Sequence, residues 1–287
     1  VYKFFTVIMF VLVVLALVGY KKLEPKIDGC AASFKDNNRR IYEEILYIRT
    51  AAEYAKDSYY LEGDRYNQCD FEQECSIHRS ASGVTALSVI DHNNETMYFT
   101  YKGTSTKEEM AIDVSQATTG GDKKAKEYFT DAYLQLGNFI DANKIELNSK
   151  EYKLIVSGHS LGGALAMYSS NRARSDLFNN ELYVYTFSSA VLHDSNQIVG
   201  FQSIPQLHEI EKVVNFVSVD DIVPRITGVR SYLSLQGYTY ALENDHWFYN
   251  PYREHGIKSM IKSIYKISNE SQLCNSFVRF RYLVSEQ

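Results

Sequence analysis

The amino-acid sequence predicts an α/β fold in which one mostly parallel central sheet is flanked by helices. Three observations carry that expectation. Short apolar runs of strand length alternate with longer segments of helical period, the pattern of a sheet built from strand–helix–strand units. The stretch Ile155–Met167, IVSGHSLGGALAM, passes from an apolar strand-like run into an Ala- and Leu-rich helix-like run within a few glycine-punctuated residues. The 287 residues are 45% hydrophobic, enough for one large core.

The elements follow in order. Lys3 precedes the apolar run Phe4–Val18, and Lys21 and Lys22 follow it. The run is shorter than the roughly 20 residues of a membrane span. A positive start and an apolar core fit a secretory signal peptide, with a retained N-terminal membrane anchor as the alternative. Residues 1–25 are assigned to that segment and residues 26–287 to a single α/β domain. Arg39–Tyr60 reads as a helix, because Ile41, Ile45, Ile48, Ala52, Ala55 and Tyr59 recur at spacings of three and four. Thr85–Ile90 and Thr96–Tyr101 read as a hairpin around the turn residues Asp91–Asn94. Glu109–Thr119 has no clear period, and Gly120-Gly121 breaks the chain. Asp122–Ile140 is amphipathic, with Tyr128, Phe129, Ala132, Leu136 and Phe139 on one side. Lys153–Ser157 reads as a strand and Leu161–Ala173 as a helix. Leu182–Phe187 and Val213–Val217 are further strands, and Ile257–Ile267 is a last helix.

Composition narrows the partners. The net charge is -5 with no basic block, which argues against nucleic acid. The four cysteines, Cys30, Cys69, Cys75 and Cys274, are even in number and fit an oxidising compartment. Cys69 and Cys75 are close enough for a small disulfide loop, and Cys30 and Cys274 would tie the ends of the domain. Without paired C-x-x-C motifs and a His cluster beside them, zinc is not expected. Asn94-Glu-Thr96 and Asn269-Glu-Ser271 are glycosylation acceptor triplets.

The chemistry centres on Ser160. Gly158 and Gly162 stand two residues on either side of it, giving the G-x-S-x-G turn that exposes a nucleophile between strand and helix. The helix N-terminus that follows favours developing negative charge. A serine nucleophile needs a base, and the base needs an orienting acid. Asp220 and Asp221 follow the strand Val213–Val219, and the residues alone do not separate them. For the base, His246 is favoured, in Asn244–Tyr249 with aromatic neighbours to hold its ring. His255, in Glu254-His-Gly256 at a helix start, and the absence of a competent base from this chain remain the alternatives. His159 points away from the nucleophile in a normal turn and reads as structural. The oxyanion donors are the Leu161 amide and Thr104, the latter in a turn after the strand Thr96–Tyr101.

On these residues the chain resembles the class 3 (fungal-type) lipases of the α/β-hydrolases, from about residue 50 to the C-terminus. Tyr101-Lys-Gly-Thr104 is similar to the family's aromatic-Arg-Gly-Thr/Ser oxyanion segment, with Lys102 in place of arginine. Gly158–Gly162 matches its Gly-His-Ser-Leu-Gly motif in full. Asp221-Ile-Val-Pro-Arg225 matches Asp-x-Val-Pro, and so the resemblance selects Asp221. Asp245-His246-Trp-Phe-Tyr249 resembles the family's Asp-His-x-x-Tyr. Alternatively, Tyr238–Tyr249 matches an earlier segment, and the chain stops at Gln287 just short of the histidine. Two further departures are Glu109-Met110 ahead of Asp113, and Thr186-Phe-Ser-Ser-Ala190 in place of Thr-Phe-Gly-x-Pro.

The resemblance implies ester hydrolysis of neutral lipids, no metal, no organic cofactor, and a short lid helix at Lys107–Thr118 with Met110, Ala111 and Ile112 as its apolar part. The function expected is that of a serine carboxylic ester hydrolase acting on acylglycerols at a lipid–water interface. It would be secreted, or anchored in the membranes of the secretory and endolysosomal pathway. The alternative is a lipase-like lipid-binding protein without turnover.

Overall fold

A computed structural model of the chain describes residues 42–61, 73–104, 123–149, 152–176, 182–190, 213–218, 221, 238–242, 255–267 and 277–278. The expected signal segment, the lid at 107–118, and Cys30, Cys69, Cys274, Asp220, His246 and Asn269 lie outside the described residues.

Helix α1 spans Ile45–Asp57 and runs on into a 3-10 turn at Ser58–Tyr60. The strands β1 (Gln73–Arg79), β2 (Thr85–Asp91) and β3 (Thr96–Tyr101) come next. After them lie α2 (Lys123–Ala142), α3 (Lys144–Ser149), β4 (Lys153–His159) and α4 (Leu161–Asp176). The described chain closes with β5 (Leu182–Phe187), β6 (Val213–Ser218), β7 (Tyr238–Leu242), α5 (Ile257–Lys266) and β8 (Phe277–Val278).

The eight strands form one sheet in sequence order. The strands β1, β2 and β3 are antiparallel, β3 to β7 are parallel, and β8 returns antiparallel on β7. This is the α/β-hydrolase type of sheet that the sequence predicts.

The side-chain period of two sorts the core into two layers. In β5, Leu182 and Val184 face the cluster built with α2 and α4, which includes Phe129, Leu136 and Leu165. Tyr183, Tyr185 and Phe187 of the same strand face the opposite cluster, built with α1 and α5, which includes Ile48, Ala52, Met260 and Ile264. Strands β2 to β6 are therefore covered on both faces, and their sequences read as nearly continuous apolar runs.

Several of the abundant tyrosines fill this core by turning their hydroxyls to polar partners. Tyr101 donates to the Ala132 carbonyl at 2.6 Å and Tyr185 to the Glu44 carboxylate at 3.0 Å. Buried polar residues pair across strands in register. Thr100 lies 2.8 Å from Ser157, and Thr186 donates to Asn215 at 2.6 Å, so neither pair leaves an unmet hydroxyl.

Four elements escape the sequence reading. Strand β1, QECSIHR, is a half-exposed edge with charged residues at both ends. The helix α3 has six residues, β8 has two, and β7 carries the short run YTYAL. The polar residues of an exposed edge hide β1, and the other three are too short to show a period.

Candidate active site

Parallel strands bring their carboxyl ends to one edge of the sheet, and α/β sheets place ligand sites there. The ends of β3, β4 and β6 deliver Gly103-Thr104, Ser160 and Asp221 to this edge. Register fixes their relative heights: Tyr101 pairs with Gly158, and Gly158 with Thr186.

Ser160 adopts a left-handed backbone, φ 57°, as a strand-to-helix turn demands of its apex. Its amide donates to the Phe187 carbonyl at 3.0 Å, and its own carbonyl accepts from the Gly163, Ala164 and Ala190 amides. The glycines around it are dictated by sterics. A Cβ on Gly158 would overlap the Gly162 carbonyl, and one on Gly162 would overlap the Tyr101 and Lys102 backbone. These neighbours are main chain and cannot swing aside. The elbow is thus wedged under the end of β3, which brings the Lys102–Thr104 segment alongside the serine.

The decisive contacts belong to His255, the residue just before the N-cap Gly256 of α5. Its Nε2 lies 2.8 Å from Ser160 Oγ, and its Nδ1 lies 3.1 and 3.0 Å from the two Asp221 oxygens. Asp221 is fully buried, whereas the His255 side chain keeps 20% of its surface exposed. An ionised carboxylate only accepts, so Nδ1 carries the proton and Nε2 offers its lone pair to the serine hydroxyl. Ser160, His255 and Asp221 thus form a catalytic-triad arrangement.

The sequence reading brought Ser160, Leu161, Thr104 and Asp221 to this edge, and the described chain places all four there. The ring between nucleophile and acid is that of His255, not the His246 favoured from sequence. The chain order Ser, Asp, His and the position just ahead of a helix were the available signals for it. Thr104 is half-buried and Leu161 is the first residue of α4. Among the described residues, no group of three His, Cys, Asp or Glu side chains is placed to hold a metal ion.

His159 is buried against this site. Desolvation, reinforced by the neighbouring His255, lowers its pKa from 6.5 to about 3. The unfolded chain therefore binds a proton between about pH 6.5 and pH 3 that the folded chain refuses. This contribution to stability is complete above pH 6.5 and is lost as pH falls through 3, a difference on the order of 5 kcal/mol across the window. Urea unfolding at stepped pH should show stability rising with pH through this range. In His159→Gln the slope should be smaller by close to one proton.

Ser188 also stands out. Its φ is 49°, it is fully buried, and its hydroxyl has no hydrogen-bond partner among the described residues. It occupies the place where the resembled strand end carries glycine. Ser188→Gly should stabilise the fold by about 1 kcal/mol, by removing left-handed strain and an orphaned hydroxyl. Denaturant midpoints would check it, and a destabilised variant would show that the hydroxyl has a partner.

Comparisons with known proteins bear on the fold and on part of the sequence. The sequence profile of the class 3 lipase family, described as Lipase (class 3), matches residues 98–231. That window contains Tyr101–Thr104, the elbow and Asp221, and it ends before His255. Among solved structures, a deletion mutant of the Rhizomucor miehei lipase in complex with its propeptide is similar. It has 15% identity over 82% of this chain and 80% of its own, with a TM-score of 0.53. Lip2 lipase from Yarrowia lipolytica has 19% identity over 64% of this chain and 74% of its own, with a TM-score of 0.47. Lipase II from Rhizopus niveus has 19% identity over 71% and 80%, with a TM-score of 0.48. No curated protein matches. At these identities the Rhizomucor miehei structure supports the fold, and the arrangement of the site rests on this chain's own coordinates.

Cys75, in β1, is disulfide-bonded, and no cysteine among the described residues is free. Asn94 of the first acceptor triplet is exposed in the β2–β3 turn, where its side chain donates to Asp91 at 2.8 Å. Among the described residues, no helix is long and apolar enough to cross a membrane.

Proposed function

We propose that this protein is a serine carboxylic ester hydrolase acting on acylglycerols or closely related lipid esters, with Ser160, His255 and Asp221 as its triad. The observation that carries the reading is the unbroken hydrogen-bond chain from Ser160 Oγ through both His255 nitrogens to Asp221. Ser160 Oγ attacks the ester carbonyl as Nε2 takes its proton. The Asp221 carboxylate stabilises the imidazolium that forms. The carbonyl oxygen gains negative charge, for which the Leu161 amide at the start of α4 and Thr104 are the donors assigned in this reading. Collapse of the tetrahedral species expels the alcohol, which takes the proton from Nε2, and leaves an acyl-serine. Water then attacks with His255 again as base. The fatty acid departs and Ser160 recovers its proton.

The lipid assignment draws on the class 3 lipase match over residues 98–231 and on the resemblance of the oxyanion, elbow and acid segments. The N-terminal apolar segment and the bonded Cys75 support action outside the cytosol, at a lipid–water interface. The test is labelling by a fluorophosphonate probe together with hydrolysis of a p-nitrophenyl ester and of emulsified triacylglycerol. Wild type should be labelled once, at Ser160, and should release fatty acid; Ser160→Ala should do neither. An unlabelled, inert wild type would favour a lipid-binding role. Labelling with ester turnover but no release from acylglycerol would narrow the activity to an esterase.

A further inference from the structure

His159 takes no part in the proton transfers just described, yet both its ring nitrogens are engaged. Nε2 lies 2.6 Å from the backbone carbonyl of His255, and Nδ1 lies 2.7 Å from the Tyr59 hydroxyl. A carbonyl can only accept, so Nε2 carries the proton. Nδ1 is then the acceptor and the Tyr59 hydroxyl the donor. The carbonyl thus fixes the tautomer of this buried ring, and the Tyr59 hydroxyl, able to donate or accept, serves it as donor.

A buried histidine with two satisfied nitrogens is in itself ordinary. Its partners here are not. The carbonyl it holds is that of the residue whose ring stands on Ser160. The two imidazoles pack with centroids 4.8 Å apart and planes tilted by 36°. The Tyr59 ring meets His159 edge-on at 5.7 Å. On its other side Tyr59 abuts the oxyanion segment, since a Cβ on Gly103 would overlap both the Tyr59 hydroxyl and the His159 carbonyl. The 3-10 turn after α1, the end of β3, the elbow and the loop before α5 therefore meet at one pair of side chains.

The mechanical need is plain. The His255 ring is held through its tip by Ser160 and Asp221, and those bonds alone leave the backbone beneath it free to shift. A third attachment, on the His255 carbonyl, converts two points of support into three. Productive proton transfer tolerates only about 0.5 Å of error in such a group.

We propose that Tyr59 and His159 are positioning residues for the base. Tyr59 anchors the His159 ring at Nδ1, and the His159 Nε2–H holds the His255 main chain so that Nε2 of His255 stays in line with Ser160 Oγ. His159 stays neutral beside the imidazolium that His255 becomes during turnover. This deepens the hydrolase reading and rests on it.

The test compares wild type, His159→Leu, His159→Gln and Tyr59→Phe for kcat and KM on a soluble short-chain ester, each normalised to folded protein. His159→Leu should lower kcat by about 10- to 100-fold with KM within about twofold. His159→Gln, which keeps an N–H donor, should recover most of that loss. Tyr59→Phe should lower kcat several-fold with unchanged KM, and 15N spectra should show the His159 Nδ1 resonance shifting as its hydrogen bond is lost while the proton stays on Nε2. A purely structural role would lower thermal stability and leave kcat of the folded fraction intact. Folded His159→Leu with kcat within about twofold of wild type overturns the positioning role alone. If His159→Leu does not fold, Tyr59→Phe decides: unchanged kcat overturns it. A wild type with neither turnover nor Ser160 labelling overturns the hydrolase reading, and the positioning role with it.

Discussion

His255→Ala should lower kcat for ester hydrolysis by about a millionfold, the scale of losing the base from a serine triad. His246→Ala should remain within a few-fold of wild type. The basis is the 2.8 Å contact between His255 Nε2 and Ser160 Oγ, with Nδ1 held by a fully buried carboxylate. Without the ring, the serine must surrender its proton to water at neutral pH, and the acyl-enzyme has no base to activate its hydrolytic water. Binding of the ester does not need the proton, so KM should change far less than kcat. The double variant Ser160→Ala/His255→Ala should be no slower than either single one, because the two groups act as a unit. Steady-state kinetics and fluorophosphonate labelling of wild type and these four variants would settle it. Full activity in His255→Ala would remove the triad assignment, and loss confined to His246→Ala would restore the expectation from sequence.

Asp221→Asn should cost about 10⁴-fold in kcat with the fold intact. The two side chains are nearly isosteric, so the buried site is not emptied. What changes is the tautomer. The Asp221 oxygens sit 3.0 and 3.1 Å from His255 Nδ1 and accept its proton. An amide can turn its own N–H toward Nδ1, which makes Nδ1 the acceptor and leaves the proton on Nε2. The face toward Ser160 then has no lone pair to offer. The carboxylate's charge, which favours the imidazolium, is lost in the same substitution. Phosphonylation of Ser160 should slow in parallel with turnover, and circular dichroism should be unchanged. A drop of less than about tenfold would mean that Asp221 orients nothing essential.

Much of this molecule is determined locally and was legible in the sequence. The elbow is one case. Only glycine fits at positions 158 and 162, where an added Cβ would strike main chain, so the G-x-S-x-G pattern carries its own steric explanation. The inner strands are another, because burial on both faces writes long apolar runs into β3 to β6. The pair Asp220-Asp221 was legible because it closely follows one of those runs, and the resemblance of Asp221-Ile-Val-Pro to Asp-x-Val-Pro selected Asp221. His159 reads from sequence only as structural, and its partners, the Tyr59 hydroxyl and the His255 carbonyl, are not legible there.

The base was decided only by tertiary structure. The pattern Asp245-His246-Trp-Phe-Tyr249 is attractive on paper, but a base must stand over the end of β4. The sequence reading did not contain β7, which pairs parallel with β6 and lies three strands from β4. That displacement is about 14 Å at the usual strand spacing. Four residues beyond Leu242 reach roughly that far only when drawn straight, whereas His255 has thirteen residues in which to cross and turn. The contacts of Tyr59 with His159, and of His159 with the His255 carbonyl, join residues 100 and 96 positions apart. Sequence sets side-chain chemistry and local turns. Which distant groups meet at the sheet's edge depends on strand order and register, and these are settled only when the whole core packs.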